Sequence, residues 1–157
     1  MEVILQLSSK VDNLFCIRGY YQKEVLMYTI RTEDSFAAAH YIKEYHGKCE
    51  NLHGHNYKVR IYVSGEKLGK GGMLIDFAIL KKILKSVLEE LDHKNLNEIT
   101  YFTEKEPSAE VIAEFIFNKV DSQLNLHVDS NSDTPVLSRV DVFETEKNLA
   151  IFTKQDK

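Results

Sequence analysis

KCENLHGHNYKVRIYVSG, residues 48–65, combines a cluster of polar side chains with a clear strand pattern. In its second half, apolar or aromatic side chains occupy every other position: Tyr57, Val59, Ile61 and Val63. This period of two is typical of an antiparallel strand with one buried face. The first half holds a cysteine, a glutamate and two of the six histidines in the chain. The stretch therefore predicts a strand that carries reactive side chains at its start.

A second predicted strand lies just upstream of this stretch. Residues 24–40, EVLMYTIRTEDSFAAAH, begin with mixed β-branched and aromatic side chains and predict a strand that bends near residues 33–35. The strand ends at His40, after three alanines that allow close packing against a neighbouring strand. If the two strands pair, His40 lies near the HGH of the next strand.

The apolar period changes to that of a helix after Phe77. Seven residues recur at helical spacing: Ile79, Leu80, Ile83, Leu84, Val87, Leu88 and Leu91. A second helical pattern opens at Pro107, with Glu110 in the first turn, where the helix dipole favours an acidic side chain. Residues 136–145 and 149–153 predict a closing hairpin.

These elements follow the order ββααββ, which predicts an α+β fold. Its simplest form is a four-stranded antiparallel sheet with two helices inserted between strands 2 and 3 and packed on one face. We expect residues 24–157 to form a single domain and residues 1–23 to be an N-terminal extension with one extra strand. The exposed edges of so small a sheet predict a homo-oligomer.

The composition excludes several classes of function. With 157 residues, a net charge of −4 and a pI near 5.9, the chain lacks the basic surface that nucleic-acid binding needs. Two cysteines, Cys16 and Cys49, do not make a disulfide framework and fit a reducing compartment. The N-terminus lacks the pattern of a signal peptide, and no apolar run approaches the roughly 20 residues of a membrane span. We therefore expect a cytoplasmic protein with no nucleic-acid or membrane partner.

The histidines of the two predicted strands suggest a metal site. Residues i and i+2 of a strand point to the same face, so His53 and His55 project together if the strand begins by His53. His40 is the candidate for the third ligand. Three histidines without an obvious fourth protein ligand predict catalytic Zn²⁺ with an open position. The alternative is that these are solvated or core histidines that bind no metal.

One cysteine, one histidine and two acidic residues are candidates for proton transfer or binding. Cys49 lies in a polar stretch, so we expect it to be accessible; a nearby cation would favour its thiolate, which acts as a base or nucleophile. Asp92 can orient the imidazole of His93 if the first helix has ended before them. The alternative is that the two residues belong to a helix C-terminus, where His93 only interacts favourably with the helix dipole. A carboxylate at Glu144 can accept two hydrogen bonds from an amidine-like edge of a ligand, although an ordinary exposed glutamate is the alternative.

Six segments together resemble the 6-pyruvoyl-tetrahydropterin synthase and 6-carboxytetrahydropterin synthase family. They are FAAAH (36–40), C-x-x-x-HGHNY (49–57), GMLIDF (72–77), LDHKNLN (91–97), PSAE (107–110) and VFET (142–145). Their order and spacing match the family from Phe36 to Phe152. No single segment is specific to the family, but the combination of HGHNY with an upstream FxxAH and a downstream LDHxxLN is specific to it.

The resemblance implies the tunnelling fold, in which sheets of several subunits join into a barrel, commonly as a hexamer of two trimers. It implies Zn²⁺ on His40, His53 and His55, and 7,8-dihydroneopterin triphosphate as the substrate. Cys49 then matches the catalytic base, Asp92 and His93 match a second proton-transfer pair, and Glu144 matches the residue that anchors the pterin ring. Sites of this family form between subunits, so the resemblance implies that Cys49 and His93 of one site come from different chains.

Two features bear on which reaction the resemblance implies. Three residues separate Cys49 from the HGH, as in bacterial members of the queuosine pathway, whose products are 6-carboxytetrahydropterin, acetaldehyde and triphosphate. Glu50, which two residues separate from the HGH, instead matches members that form the folate precursor 6-hydroxymethyl-7,8-dihydropterin. A folate-type or dual-activity enzyme and a non-catalytic pterin- or metal-binding relative are therefore the alternatives. Ser108 stands where the family commonly has a threonine-containing segment, which leaves its expected pterin contact open.

Overall fold

The computed structural model describes residues 14–17, 20–23, 27–44, 46–127 and 134–154. The N-terminal extension contains an antiparallel hairpin of two strands, β1 (Leu14–Ile17) and β2 (Tyr20–Lys23), where one strand was predicted. The remaining elements, in chain order, are β3 (Tyr28–His40), β4 (His53–Gly65), α1 (Phe77–Leu88), β5 (Lys94–Asn95), α2 (Ala109–Leu124), β6 (Val136–Phe143) and β7 (Leu149–Phe152).

A five-stranded sheet with the order β5-β3-β4-β6-β7 forms the body of the domain. The predicted α+β fold is confirmed, and β3, β4, β6 and β7 pair antiparallel with one another in the predicted ββααββ order, to which the structure adds β1, β2 and β5. The sheet is nevertheless mixed, because β5 pairs in parallel with β3, so the expectation of four antiparallel strands is wrong at this edge. A strand of two residues is too short to show a period of two in the sequence.

The pairing of β3 with β4 is the longest in the sheet. It runs over 13 residues, from Tyr28 opposite Gly65 to His40 opposite His53. The register continues without a shift through residues 33–35, where the sequence predicted a bend. Because the register ends at the two histidines, the strand pairing itself brings them face to face.

Both helices begin with a side-chain cap. Asp76 accepts a hydrogen bond from the backbone N–H of Ala78 at the start of α1. Ser108 does the same for Val111 at the start of α2. The second helix therefore begins after Ser108, and Pro107, at which the sequence predicted the opening, precedes the cap. None of the helices in the described part of the chain is long and apolar enough to cross a membrane.

The hydrophobic core lies between the helices and one face of the sheet. Four alternating residues of β4 face it and are fully buried: Tyr57, Val59, Ile61 and Val63. Helix α1 packs against β3, while α2 packs against β6 and β7. The alternation that buries Tyr57 continues back to His55 and His53, so the histidines lie on the core face at one end of the sheet.

Candidate metal centre and active site

Three histidines meet at the end of β3 and the start of β4. The ring centroids are separated by 4.6 Å for His40 and His53, 4.9 Å for His53 and His55, and 5.3 Å for His40 and His55. One nitrogen of each ring lies within 4.8 Å of the other two. The structure thus brings together the three residues that the strand pairing predicted as neighbours.

Backbone carbonyls orient two of the rings. Nδ1 of His40 lies 2.7 Å from the carbonyl oxygen of Pro107, and Nδ1 of His53 lies 2.8 Å from that of Asn51. A carbonyl only accepts hydrogen bonds, so each Nδ1 carries the proton and each Nε2 presents its lone pair. Burial lowers the pKa of His40, which keeps its ring in the neutral form that ligates metals.

The donor set fits a zinc ion. Nε2 of His40 and Nε2 of His55 are buried and have no hydrogen-bond partner among the residues described. An unpartnered buried nitrogen costs free energy, which a bound cation would recover. Three neutral imidazoles that converge on one point suit Zn²⁺ and leave a fourth position for water or substrate.

Glu144 lies beside the histidines, just after the end of β6. Its Oε1 is 3.6 Å from Nε2 of His40 and 3.7 Å from Nε2 of His55. These distances are longer than a hydrogen bond but close enough for electrostatic attraction to a cation or a protonated ring. The carboxylate therefore faces the metal position as well as the adjoining cavity.

Tyr57 closes the buried side of the histidine cluster. Its ring stacks on Phe36 at a centroid distance of 4.8 Å and meets the edge of His55 at 5.5 Å. The hydroxyl is buried and has no hydrogen-bond partner among the described residues. Burial, and then the charge of Glu144, raise the pKa of Tyr57, so the phenol stays protonated. The period of two in β4 predicted Tyr57 as a core residue only; its place two residues after His55 was the signal for a contact with the histidine cluster.

A cavity of about 440 Å³ opens next to the histidines. It is lined by His40, Ile42, Cys49, Ser108, Ala109, Glu110, Glu144, Asn148, Leu149 and Ala150. Its size is in the range of small-molecule sites, and its wall combines apolar side chains with a few ionisable ones. Cys49, Ser108 and Glu144 were all predicted from the sequence, and the structure places them around one space with His40.

Cys49 and Glu50 take different directions although they are adjacent. They lie in a short 3₁₀ turn, Lys48–Glu50, where the backbone N–H of Ile42 donates to the carbonyl oxygen of Cys49 at 2.8 Å. Cys49 is half-buried and lines the cavity, whereas Glu50 is exposed and does not. A carboxylate oxygen of Glu50 instead lies 3.8 Å from Nδ1 of His46. The structure therefore separates the two candidate bases.

The start of α2 contributes two polar side chains to the cavity wall. The hydroxyl of Ser108 accepts from the backbone N–H of Val111 at 3.4 Å, so it already serves as the helix cap. Glu110 lines the cavity within the first helical turn. The sequence analysis gave Glu110 no role in binding, because an acidic residue in a first turn is ordinarily explained by the helix dipole.

Asp92 and His93 form the predicted pair. Helix α1 ends at Leu88, and Oδ2 of Asp92 lies 2.9 Å from Nδ1 of His93. Ala37 holds both residues, since its N–H donates to Oδ1 of Asp92 at 2.8 Å and its carbonyl accepts from the N–H of His93 at 2.6 Å. The Ala37 N–H, and then His93, lower the pKa of the Asp92 carboxyl.

This pair stands apart from the cavity of its own chain. The His93 side chain is 81% exposed, and neither residue of the pair lines the cavity that contains Cys49. His93 also has a φ of 55°, in the left-handed region that a non-glycine residue adopts at some cost. The structure thus brings Asp92 to His93 but does not bring either to Cys49 within one chain.

Comparisons with known proteins agree on one family. The sequence model of that family, 6-pyruvoyl tetrahydropterin synthase, matches residues 29–155. The chain is 37% identical over 124 residues to the 6-carboxy-5,6,7,8-tetrahydropterin synthase of Haemophilus influenzae, an alignment that covers 64% of this chain and 88% of that protein. It is 36% identical over 110 residues to the human 6-pyruvoyl tetrahydrobiopterin synthase, covering 68% of this chain and 70% of the human one.

A solved structure supports the same assignment. The Caenorhabditis elegans 6-pyruvoyl tetrahydropterin synthase superposes with a TM-score of 0.71 at 34% sequence identity, covering 83% of this chain and 98% of that chain. The relatives therefore include proteins named for 6-carboxy and for 6-pyruvoyl products, so likeness alone does not choose the product.

Proposed function

The chain belongs to the 6-pyruvoyl tetrahydropterin synthase family, and from this premise we propose that it is a zinc-dependent lyase acting on 7,8-dihydroneopterin triphosphate. The proposed products, formed with the uptake of one water molecule, are 6-carboxytetrahydropterin, acetaldehyde and triphosphate, as in the queuosine branch; 6-pyruvoyltetrahydropterin, formed by loss of triphosphate without that water, is the related alternative. The observation that carries the proposal is that Cys49, and not Glu50, lines the cavity beside His40 and Glu144.

His40, His53 and His55 would hold the zinc ion. When bound, Zn²⁺ polarises oxygen ligands and acidifies hydroxyl groups, which here would be those of the substrate side chain. The protein contributes rings that are already oriented, since the carbonyls of Pro107 and Asn51 fix Nδ1–H on His40 and His53. This preorganisation means that the rings of His40 and His53 need not reorient when the metal binds.

Cys49 is the proposed base. Its thiolate would accept a carbon-bound proton next to a polarised oxygen of the substrate side chain. Its place in the cavity wall supports this role, because a general base must come within hydrogen-bond reach of the proton that it removes. The exposed, outward-facing Glu50 does not meet that requirement in this arrangement.

His93, oriented by Asp92, is the proposed carrier of the second proton. The Asp92 carboxylate accepts from Nδ1–H of His93, which leaves Nε2 as the exchanging nitrogen. Because the exposed His93 side chain does not line the cavity of its own chain, we propose that it completes the cavity of a neighbouring chain. The active form is then a homo-oligomer, a trimer or a hexamer, in the cytoplasm.

Two further residues are proposed to contact the pterin. Glu144 would accept hydrogen bonds from the amidine-like edge of the ring, which fits a carboxylate on the cavity wall. Ser108 lines the same cavity, but its hydroxyl already accepts from Val111, so its proposed contact with the pterin is the weaker of the two.

Formation of 6-hydroxymethyl-7,8-dihydropterin through Glu50 is the alternative reaction. For Glu50 to act, the 3₁₀ turn would have to rotate its carboxylate away from His46 and into the cavity. A non-catalytic relative is less well supported, because all the residues that the family resemblance assigns to catalysis are present in the chain.

The test is to identify the product by mass after the zinc-loaded, reduced protein reacts with 7,8-dihydroneopterin triphosphate. The parent is compared with Cys49→Ala, Glu50→Ala and, as a matched cysteine control, Cys16→Ser. We expect 6-carboxytetrahydropterin from the parent, Glu50→Ala and Cys16→Ser, and its loss in Cys49→Ala. A 6-hydroxymethyl product that survives Cys49→Ala but not Glu50→Ala would overturn the proposal in favour of the folate-type reaction.

A further inference from the structure

The side chain of Asn97 is joined to the backbone of Tyr41 by two hydrogen bonds. The N–H of Tyr41 donates to Oδ1 of Asn97 at 2.9 Å, and Nδ2 of Asn97 donates to the carbonyl oxygen of Tyr41 at 2.9 Å. Tyr41 is the residue directly after His40. Asn97 therefore binds the backbone just after the end of β3, next to the proposed metal ligand His40.

These two bonds extend the sheet beyond its last backbone pair. Strand β5 pairs with β3 only at Ala38 and Ala39, after which its backbone turns away into a 3₁₀ turn, Leu96–Glu98. A primary amide offers one acceptor and a donor in a plane, as a peptide group does. The Asn97 amide thus takes the place of the next peptide of β5 and satisfies both polar groups of Tyr41.

The hydrogen bonds at Tyr41 lie one residue away from a backbone contact with Cys49. The next residue, Ile42, donates its N–H to the carbonyl oxygen of Cys49 at 2.8 Å and so closes the base of the loop between β3 and β4. Within that loop, Glu44 and His46 both have a φ of 56°, a left-handed conformation that is costly for residues other than glycine. Such a loop keeps its shape only if its base is held.

We propose that Asn97 is a positioning residue that sets the Cys49 thiol relative to His40, acting through the backbone of Tyr41 and Ile42. Asn97 belongs neither to the histidine cluster nor to the residues that line the cavity. The inference rests on the proposed function only in treating Cys49 as the base. The connection from Asn97 through Tyr41 and Ile42 to Cys49 consists of hydrogen bonds and neighbouring backbone, and it does not depend on that function.

The test measures how fast iodoacetamide alkylates Cys49. Because Cys16 and Cys49 are the only two cysteines, a Cys16→Ser background leaves one thiol to follow. Asn97→Ala removes both hydrogen bonds, whereas Asn97→Asp keeps the shape and the acceptor but places an oxygen against the Tyr41 carbonyl. We expect alkylation to become roughly tenfold faster in both variants, as local opening of the loop becomes easier.

The matched control is Gln123→Ala, which removes another half-buried amide. Its Oε1 accepts from the hydroxyl of Ser86, between the two helices and away from the loop. We expect that variant to keep the alkylation rate of the parent within about twofold. Hydrogen exchange gives a second readout, in which the amides of Tyr41 and Ile42 exchange faster in both Asn97 variants and not in the control.

Parent-like alkylation and exchange in Asn97→Asp would overturn the proposal, even if Asn97→Ala failed to fold. Alkylation needs neither the metal nor the pterin substrate. If the protein makes no pterin product but the Asn97 variants still alkylate faster, the positioning role of Asn97 is supported and the proposed function is refuted. The opposite result, a pterin product without an Asn97 effect, would overturn only this inference.

Discussion

The imidazole of His40 donates from Nδ1 to the carbonyl oxygen of Pro107 across 2.7 Å. This contact joins the last residue of β3 to the residue that precedes the cap of α2. Since Ser108 and Glu110 follow immediately and line the cavity, the proposed metal site and the proposed pterin site share one wall. A change in either strand or helix would therefore disturb both metal binding and substrate binding.

Removing one histidine should abolish metal binding. We expect zinc content to fall from about one ion per chain to less than about 0.2 in His53→Ala, because two imidazoles chelate far more weakly than three. His127→Ala serves as the control, since His127 is exposed near the end of α2 and should leave the zinc content unchanged. Elemental analysis after dialysis measures both; retention of zinc by His53→Ala would refute the ligand assignment.

Asp92→Asn should slow turnover while preserving the fold. The amide oxygen of asparagine can still accept from the N–H of Ala37, but its NH₂ group cannot accept from Nδ1–H of His93. We expect kcat to fall by about a hundredfold, the usual size of an acid–base contribution, while the variant keeps the native fold. Unchanged turnover would mean that Asp92 and His93 take no part in catalysis.

The same variant should change how stability depends on pH. The pKa of Asp92 is lowered in the folded state from its usual value near 3.8, so the folded protein holds its carboxylate charged where the unfolded chain is protonated. This contribution to stability is complete above pH 3.8 and is lost as the pH falls through the lower folded-state pKa. Thermal unfolding between pH 5 and pH 2.5 should show a smaller acid-induced loss of Tm in Asp92→Asn than in the parent. Equal losses would mean that the Asp92 carboxylate does not contribute to the pH dependence of stability.

Glu144→Gln distinguishes a pterin anchor from a metal ligand. If Glu144 anchors the pterin, KM should rise by about tenfold to a hundredfold, the worth of a charged hydrogen bond, while zinc content stays constant. If its carboxylate serves the metal instead, zinc affinity should fall in parallel with activity, as its position near His40 and His55 allows. Steady-state kinetics and zinc titration on the same samples measure the two effects, and an unaltered KM would rule out the anchor.

The histidine cluster was predictable because strand geometry dictates it. The period of two in β4 places His53 and His55 on one face, and the pairing of the two long strands brings His40 opposite His53. The helices followed from their apolar spacing in the same way. These features depend on regular repeats, which a sequence displays directly.

Other features of the site depend on contacts that no local pattern shows. The different surroundings of Cys49 and Glu50 arise in a short turn whose Cys49 carbonyl accepts a hydrogen bond from Ile42. Asp92 owes its position to Ala37, which is 55 residues away in the chain. Glu110 also had a sufficient local explanation, in the helix dipole, so its sequence context did not mark it as lining the cavity. Tyr57 had one in the buried strand face, and only its spacing from His55 pointed to the contact with the histidine cluster.

Zinc K-edge absorption spectroscopy of the loaded protein tests whether three histidines hold the metal and leave Cys49 free to act as a base. We predict nitrogen and oxygen neighbours at about 2.0–2.1 Å and no sulfur neighbour, because Cys49 lines the cavity but does not join the histidine cluster. A sulfur neighbour at about 2.3 Å that disappears in Cys49→Ala would make Cys49 a metal ligand and contradict the account.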